Sequence, residues 1–257
     1  MKKLIQVLCV FLVVVGTLTA GCGSSAKAKK ELVVGTEPAF APFEFQKENS
    51  QELTGFDMDL IRAVAKNLGY EKCTILNMGF DALIPALEAK NIDVAIAGMT
   101  ITPERGEKVT FSQAYYKSGL AIVVHKDNQT VQGLSDLQNK KIAVQIGTTG
   151  AMEAAKIPGA IITSFNTNGE ACLELKNKAV DAVIGDLPVE AYFLKQGGSR
   201  YAQIVGQTIT SEDYGMAVAK NNPQLAKALD QALTALKKNG EYDKIYQHWF
   251  GSKAENK

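Results

Sequence analysis

Two stretches constrain the fold of this chain more than any others, because each is too evenly apolar to form a strand with a wet face. The first is Asp93-Val94-Ala95-Ile96-Ala97, and the second is Asp181 followed by Ala182-Val183-Ile184. A strand that alternates apolar and polar residues can leave one face in water, whereas a continuous apolar run must be covered on both faces, as in α/β proteins. A helix ending at Lys176-Asn177 precedes the second run, and Gly98 and Asp186 each lie five residues past the aspartate of their run. This weak internal repeat predicts two lobes of like construction whose strand ends face each other. Ligands of open α/β sheets bind beyond the carboxyl ends of strands, so function is expected in a cleft between the lobes.

The rest of the chain fits that frame. From Glu31 onward short β-branched runs alternate with amphipathic segments, which predicts an α/β architecture with largely parallel sheets. The first strand is expected over 32–35. A helix is expected over 57–68, with Leu60, Ile61, Val64, Ala65 and Leu68 on one stripe and Gly69 as its stop. Residues 114–119 join two strand-like runs with no helix between them and are one candidate crossing between lobes; 208–214 is the other. Helices over 223–238, with Leu225, Leu229, Leu233 and Leu236 in register, and over 242–250 then return to the first lobe. The predicted boundaries are 31–114 plus 215–251 for lobe 1 and 120–208 for lobe 2, with the two crossings as a hinge.

The amino terminus is of a different kind. Lys2 and Lys3 precede an apolar run over 4–15 and then the small residues Thr17, Thr19, Ala20 and Gly21, the layout of a secretory signal over 1–21. The run is shorter than the roughly 20 residues a membrane span needs. Leu18-Thr19-Ala20-Gly21-Cys22 resembles the lipobox of bacterial lipoproteins, with Thr19 in place of the usual leucine. On that reading Cys22 is acylated, and residues 22–30 are a flexible basic tether to the membrane. A cysteine that happens to follow an ordinary cleavage site is the plain alternative.

About 225 residues remain, enough for one large or two small domains with real cores. Lysine and arginine number 28 against 27 aspartate and glutamate, a formal charge of +1 that offers no broad field for nucleic acid. Cys73 and Cys172 stand in apolar contexts and read as small core residues. His125 and His248 are the only histidines, and no nucleophile elbow or metal-ligand spacing is present. Binding is favoured over catalysis, with no metal or cofactor.

Several residues carry binding chemistry. Thr102-Pro103-Glu104-Arg105 reads as a helix start with Thr102 as N-cap and Pro103 at the first position. Arg105 then sits in the first turn, where a cation opposes the helix dipole unless an anion lies near. Its fork can grip a carboxylate with two hydrogen bonds, although an exposed surface arginine fits the same spacing. Gln145-Ile146-Gly147-Thr148-Thr149-Gly150 closes a strand and opens a helix, bringing free N–H groups and hydroxyls to one point. Asp186 either accepts from an ammonium group or caps the helix of Leu187-Pro188-Val189. Glu37 follows the first strand in the same way, and Phe40 and Phe80 are ligand aromatics or plain core.

Taken in order, Val34-Gly35-Thr36-Glu37-Pro38-Ala39-Phe40-Ala41-Pro42-Phe43-Glu44-Phe45, Gly55-Phe56-Asp57-Met58-Asp59-Leu60, Ala97-Gly98-Met99-Thr100-Ile101-Thr102-Pro103-Glu104-Arg105, Phe111-Ser112, Tyr115-Tyr116, Gly147-Thr148-Thr149 and 242–250 resemble the polar amino-acid-binding proteins of ABC importers. The resemblance implies a two-lobed, type II periplasmic-binding-protein clamp that captures a free amino acid, works as a monomer, and passes its ligand to importer membrane subunits. It implies that Arg105 pairs with the ligand carboxylate, helped by N–H groups at Thr100 and Thr149. Asp186, the Gly98 carbonyl and the Thr100 hydroxyl would take the ammonium, and Phe40 and Phe80 would flank the side chain. Met99, Gln145 and Thr148 complete the expected site.

For the side chain, the resemblance places an acid at Glu37 and, where glutamine-binding relatives have a lysine, Gln145. An acid without its lysine leaves the pocket negative, so arginine or another basic amino acid is expected first, with glutamine or histidine next. Two rivals share the scaffold. A cyclohexadienyl dehydratase-like enzyme would need a further cation where Glu37 and Asp186 sit, and a sensor domain would call for a transmembrane or kinase segment after Phe250. Replacing Cys22 with Ser is expected to move the protein from the membrane to the soluble fraction, as checked by fractionating the producing cells; unchanged membrane retention would rule out lipidation as the anchor.

Overall fold

The computed structural model describes residues 29–251. The predicted signal segment, the lipidation site Cys22 and the tether as far as residue 28 therefore lie outside the described residues. The chain runs through Lys29–Thr36 (β1), Ala39–Phe40 (β2), Glu44–Gln46 (β3), Leu53–Thr54 (β4), Phe56–Asn67 (α1), Tyr70–Asn77 (β5), Leu83–Glu88 (α2), Val94–Ala95 (β6), Pro103–Lys108 (α3) and Val109–Phe111 (β7). It continues with Tyr116–Ser118 (β8), Leu120–His125 (β9), Lys141–Gln145 (β10), Thr149–Ala154 (α4), Ile161–Phe165 (β11), Asn168–Lys176 (α5), Ala182–Asp186 (β12), Leu187–Lys195 (α6) and Ala202–Val205 (β13). Glu212–Tyr214 (β14), Ala217–Ala219 (β15), Pro223–Lys238 (α7) and Glu241–Phe250 (α8) close it.

Two five-stranded sheets result, in the orders β5-β1-β6-β15-β7 and β11-β10-β12-β9-β13. They are mixed where the sequence predicts largely parallel ones. β1 runs parallel to β5 and β6, and β10 parallel to β11 and β12, but β15 is antiparallel to β6, and β9 antiparallel to β12. The exceptions are the strands that enter each lobe directly after a crossing. A strand feeding a βα unit ends at the cleft, whereas a strand arriving from the hinge begins there and must run the other way. β1 also starts earlier than predicted: Lys29 stands in register with Tyr70, so Lys29 and Lys30 belong to the sheet and not to a tether. Ladder hydrogen bonds need only a backbone, and pairing extends beyond the apolar residues that mark the strand in the sequence.

Period-two alternation sorts side chains onto two apolar faces in each sheet. In the second sheet Ile122, Val124, Ile142, Val144, Ala182 and Ile184 face one core, while Val123, Ala143 and Val183 face another built with Ala171, Cys172 and Leu175 of α5. In the first sheet Leu32, Val34, Val94 and Ile96 meet α1 and α7 on one side, and Ala95, Ala97 and Met99 meet Leu83 and Leu87 of α2 on the other. Both continuous apolar runs are thus covered on both faces. α7 needs only one stripe, Leu225, Leu229, Leu233 and Leu236, because its opposite face is in water. Cys172 is buried and Cys73 half-buried, both as free thiols. Among the described residues no helix is long and apolar enough to cross a membrane.

The crossings lie side by side. β8 and β14 pair antiparallel in the register Tyr116 with Tyr214 and Ser118 with Glu212. α8 anchors this ribbon to the first lobe through an aromatic cluster in which the Tyr116 ring lies 4.8 Å from that of Phe43 and 5.0 Å from that of Phe250. Just past β8 the strands approach so closely that a Cβ on Gly119 would stand 2.2 Å from the Thr210 carbonyl oxygen. Because that neighbour is backbone and cannot turn aside, Gly119→Ala is expected to force the crossings apart and cost about 1–3 kcal/mol in urea unfolding. An unchanged midpoint would show that the hinge has slack at this point.

Candidate functional site

Between the facing ends of the two sheets lies a cavity of ≈ 230 Å³ lined by Phe40, Phe80, Gly98, Thr100, Arg105, Gln145, Thr148, Thr149 and Asp186. Each side chain is delivered by an element end: Gln145 and Asp186 close β10 and β12, Gly98 and Thr100 follow β6, Arg105 lies on α3, and Thr148 and Thr149 open α4. Residues far apart in the chain meet here because the strands of both lobes end at one place.

Arg105 is 5% exposed. Its backbone N–H donates to the Thr102 hydroxyl at 3.2 Å, so Thr102 is the N-cap that the sequence suggests and Pro103 the first helical residue. Its guanidinium reaches back to the Thr100 carbonyl at 2.7 Å and across to the Gly147 carbonyl at 3.0 Å, with the Phe80 ring centroid 5.2 Å away. One Phe80 face therefore supports Arg105. Two carbonyls occupy two of the five donors of the fork, and the others are free to meet a carboxylate. Burial lowers the pKa of Arg105, while the nearby negative charges of Asp186 and Glu212 oppose that shift. α3 and α4 have six residues each, too short for a large macrodipole, so the side chain and not the helix ends supplies the positive charge.

Asp186 stands at the N-cap position of α6 but makes no capping bond. It accepts instead from the Tyr214 hydroxyl. Burial pushes its carboxyl up to about 7, with Glu212 and Glu190 adding to the effect and Tyr214 and Arg105 opposing it. Glu37, 5% exposed, is also pushed up to about 7, chiefly by burial. The side-chain amide of Gln145 donates to Glu37 at 3.2 Å and to the Asn166 carbonyl at 3.1 Å, so Glu37, expected in the site, stands behind Gln145 and does not itself line the cavity.

Gly98 has φ 53°, and a Cβ there would meet the Phe40 ring at 2.7 Å. Its N–H donates to Asp57 at 2.9 Å, and the Tyr115 hydroxyl donates to the same oxygen at 2.7 Å. Were Glu44 and Asp57 both carboxylates, three of their buried oxygens would have no partner. Burial and the charge of Asp57 raise the Glu44 carboxyl well above the usual range, and burial raises that of Asp57 to about 6.

Met99 departs from expectation. Its side chain is 1% exposed in the core on α2, because Ala95, Ala97 and Met99 share one parity and Gly98 and Thr100 the other. Two residues that sequence reasoning passed over belong to the surroundings of the site: Tyr214, through Asp186, and Glu212, which accepts from the Thr100 hydroxyl at 2.7 Å and the Thr149 hydroxyl at 3.0 Å. Both sit in the second crossing, and no spacing motif marks them.

A model for the bacterial extracellular solute-binding proteins, family 3, matches residues 32–252. The chain is 36% identical over 244 residues to the putative ABC transporter arginine-binding protein 2 of Escherichia coli (strain K12), covering 93% of this chain and 98% of the relative. An ancestral arginine-binding protein bound to arginine superposes with a TM-score of 0.84 at 45% identity, over 88% of this chain and 100% of the other. The arginine-, lysine-, histidine-binding protein ArtJ of Geobacillus stearothermophilus gives 0.83 at 37% identity, over 88% and 97%. An ancestral amino acid-binding protein described as a precursor of cyclohexadienyl dehydratase gives 0.79 at 40% identity, over 86% and 95%.

Buried carboxyls with raised pKa values set a pH dependence. Between the ordinary carboxylate range and about 7, the folded protein holds protons on Glu37 and Asp186 that the unfolded chain releases. Stability from this source is therefore present at low pH and falls as pH rises through that window, by up to about 1.4 kcal/mol per pH unit for each group. Asp186→Asn and Glu37→Gln are each expected to flatten the fall in urea midpoints between pH 5 and about 7.5, relative to the parent. Parallel curves would show that neither carboxyl titrates in that range.

Proposed function

The chain belongs to family 3 of the bacterial extracellular solute-binding proteins, and on that premise we propose that it captures a free polar amino acid, arginine by preference, and hands it to an ABC importer. One observation carries the reading: a buried arginine and a buried aspartate, brought from different lobes, line a single cavity. A free amino acid carries the two complementary charges on one carbon. Arg105 takes the carboxylate through its remaining donors, and Asp186 takes the ammonium, with the Gly98 carbonyl and the Thr100 hydroxyl beside it. A charge paired on both sides is the condition under which burying it is tolerable.

The side chain of the ligand then runs toward Gln145 and Glu37. A carboxyl that burial pushes to about 7 gains a partner when a guanidinium arrives, and it ionises in that company. Phe40 and Phe80 give the guanidinium flat apolar faces. Thr148 closes the same wall. Residues 31–114 with 215–251 and residues 120–208 act as the two jaws, and the β8–β14 ribbon is their hinge. Capture of a ligand without chemistry is the role: the acids at the cavity wall suit a cationic side chain and would repel the second carboxylate of a dehydratase substrate. Export follows from the family, and Cys22 is the proposed lipid anchor that keeps the protein, as a monomer, at the outer face of the membrane, beside the importer.

Calorimetric titration with arginine, glutamine and histidine tests the reading. Arg105→Ala and Asp186→Ala are each expected to weaken arginine binding by two orders of magnitude or more, since an unpaired buried charge costs about 3–5 kcal/mol. Glu37→Gln should weaken arginine at least tenfold and glutamine far less. A parent protein that prefers glutamine would overturn the cationic choice, and one that binds no amino acid would overturn the whole reading.

A further inference from the structure

Glu212 lies on β14, is 7% exposed, and makes three hydrogen bonds to hydroxyl groups from three different parts of the chain. One of its oxygens, Oε2, accepts from Thr100 at 2.7 Å and from Thr149 at 3.0 Å. The other, Oε1, accepts from Thr210 at 3.0 Å, and the Thr210 hydroxyl itself accepts the Leu120 backbone N–H at 3.1 Å. Thr100 follows β6 in the first sheet and Thr149 opens α4 beside the second, so a single carboxylate oxygen in the hinge ribbon ties the two jaws together. Thr100 and Thr149 line the cavity, whereas Glu212 stands behind them.

The consequence follows from counting protons. A threonine hydroxyl has one hydrogen to give and two lone pairs, and a carboxylate can only accept. Each hydroxyl that bonds Glu212 must turn its single proton toward it, away from the cavity. What Thr100 and Thr149 present to a ligand is then lone pairs alone. Thr210 cannot relieve Glu212 of this role, because the Leu120 N–H already fixes it as a donor to the other oxygen.

We propose that Glu212 is a positioning residue that locks the Thr100 and Thr149 hydroxyls as acceptors, so that this part of the cavity demands a hydrogen-bond donor, the ligand ammonium, and disfavours a carboxylate or a neutral acceptor. The proposal rests on the amino-acid reading above and adds what that reading lacks: a reason why the ligand binds one way round. Arg105 attracts the carboxylate end by charge, and Glu212, acting through two hydroxyls, makes the neighbouring wall refuse it. Bonds made to charged groups are the stronger ones, so the hydroxyl protons are held firmly while the jaws close.

The test compares arginine with 5-guanidinopentanoate, which is arginine without its α-amino group, by competition against labelled arginine. In Glu212→Leu, which fills similar space and accepts nothing, the hydroxyls are free to turn their protons into the cavity. The preference for arginine over 5-guanidinopentanoate is expected to fall at least tenfold relative to the parent, beyond any loss common to both ligands. Glu212→Gln keeps the shape should the leucine variant fail to fold, and a fall of threefold or more is expected there, because a neutral amide holds the hydroxyl protons less tightly. A merely structural role for Glu212 would weaken both ligands by the same factor, and an unchanged preference in the folded variants overturns the proposal while leaving the amino-acid reading intact. A parent protein that binds neither arginine nor any other amino acid overturns both.

Discussion

The pairing of the two chain crossings as the β8–β14 ribbon is the constraint on which the remainder of this structure depends. The ribbon belongs to neither five-stranded sheet, yet it touches both jaws of the cavity. From β14, Tyr214 donates to Asp186 of the second sheet, and Glu212 receives hydroxyls from Thr100 on one side and Thr149 on the other. Its other strand, β8, is gripped by the aromatic cluster of Phe43, Tyr116 and Phe250, so the ribbon is firmly fixed to the first lobe. Because one ribbon bonds residues from both lobes at the cavity, the arrangement of the site is tied to how the lobes are set against one another.

A second theme is the number of acids kept away from water. Glu37, Glu44, Asp57, Asp186 and Glu190 are buried, and burial raises the carboxyl pKa of every one. Such groups oppose folding at neutral pH unless they are paired, and a binding site needs them in place before the ligand arrives. The chain meets this conflict in different ways. Asp57 accepts from the Gly98 N–H and the Tyr115 hydroxyl. Asp186 accepts a hydrogen bond from the Tyr214 hydroxyl. Glu190 lies below Gly185, where a Cβ would stand 2.2 Å from its carboxyl oxygen, so a larger residue there would push the Glu190 carboxyl aside. The scaffold thereby carries buried ionisable groups near the cavity and secures them with cores on both faces of each sheet.

Legibility in the sequence varied with the range of the interaction that fixed each feature. Apolar periodicity is local, and it revealed both continuous strands, α1 and α7 and the location of the crossings. Local capping chemistry announced α3, since Thr102 and Pro103 are adjacent to the helix they start. Asp186 read equally well as a helix cap; the structure shows no capping bond and turns its carboxylate to Tyr214, 28 residues away. Met99 was misplaced between two cavity residues because a motif does not state its parity. The antiparallel direction of β9 and β15 was not foreseen for a related reason: direction in a sheet depends on where the chain enters, which no pattern within the strand records.

The sequence by itself determined the class of fold, the two lobes, and a set of polar residues suited to a zwitterion. Each of these depends on side-chain type and spacing within one or two turns of chain. Tertiary structure alone decided which of them meet. Glu212 and Thr100 are 112 residues apart, and Gln145 and Glu37 are 108 apart. Hydrogen bonds of that reach depend on how two sheets and a hinge are set against one another, and a hydroxyl proton has no direction until its acceptor is in place.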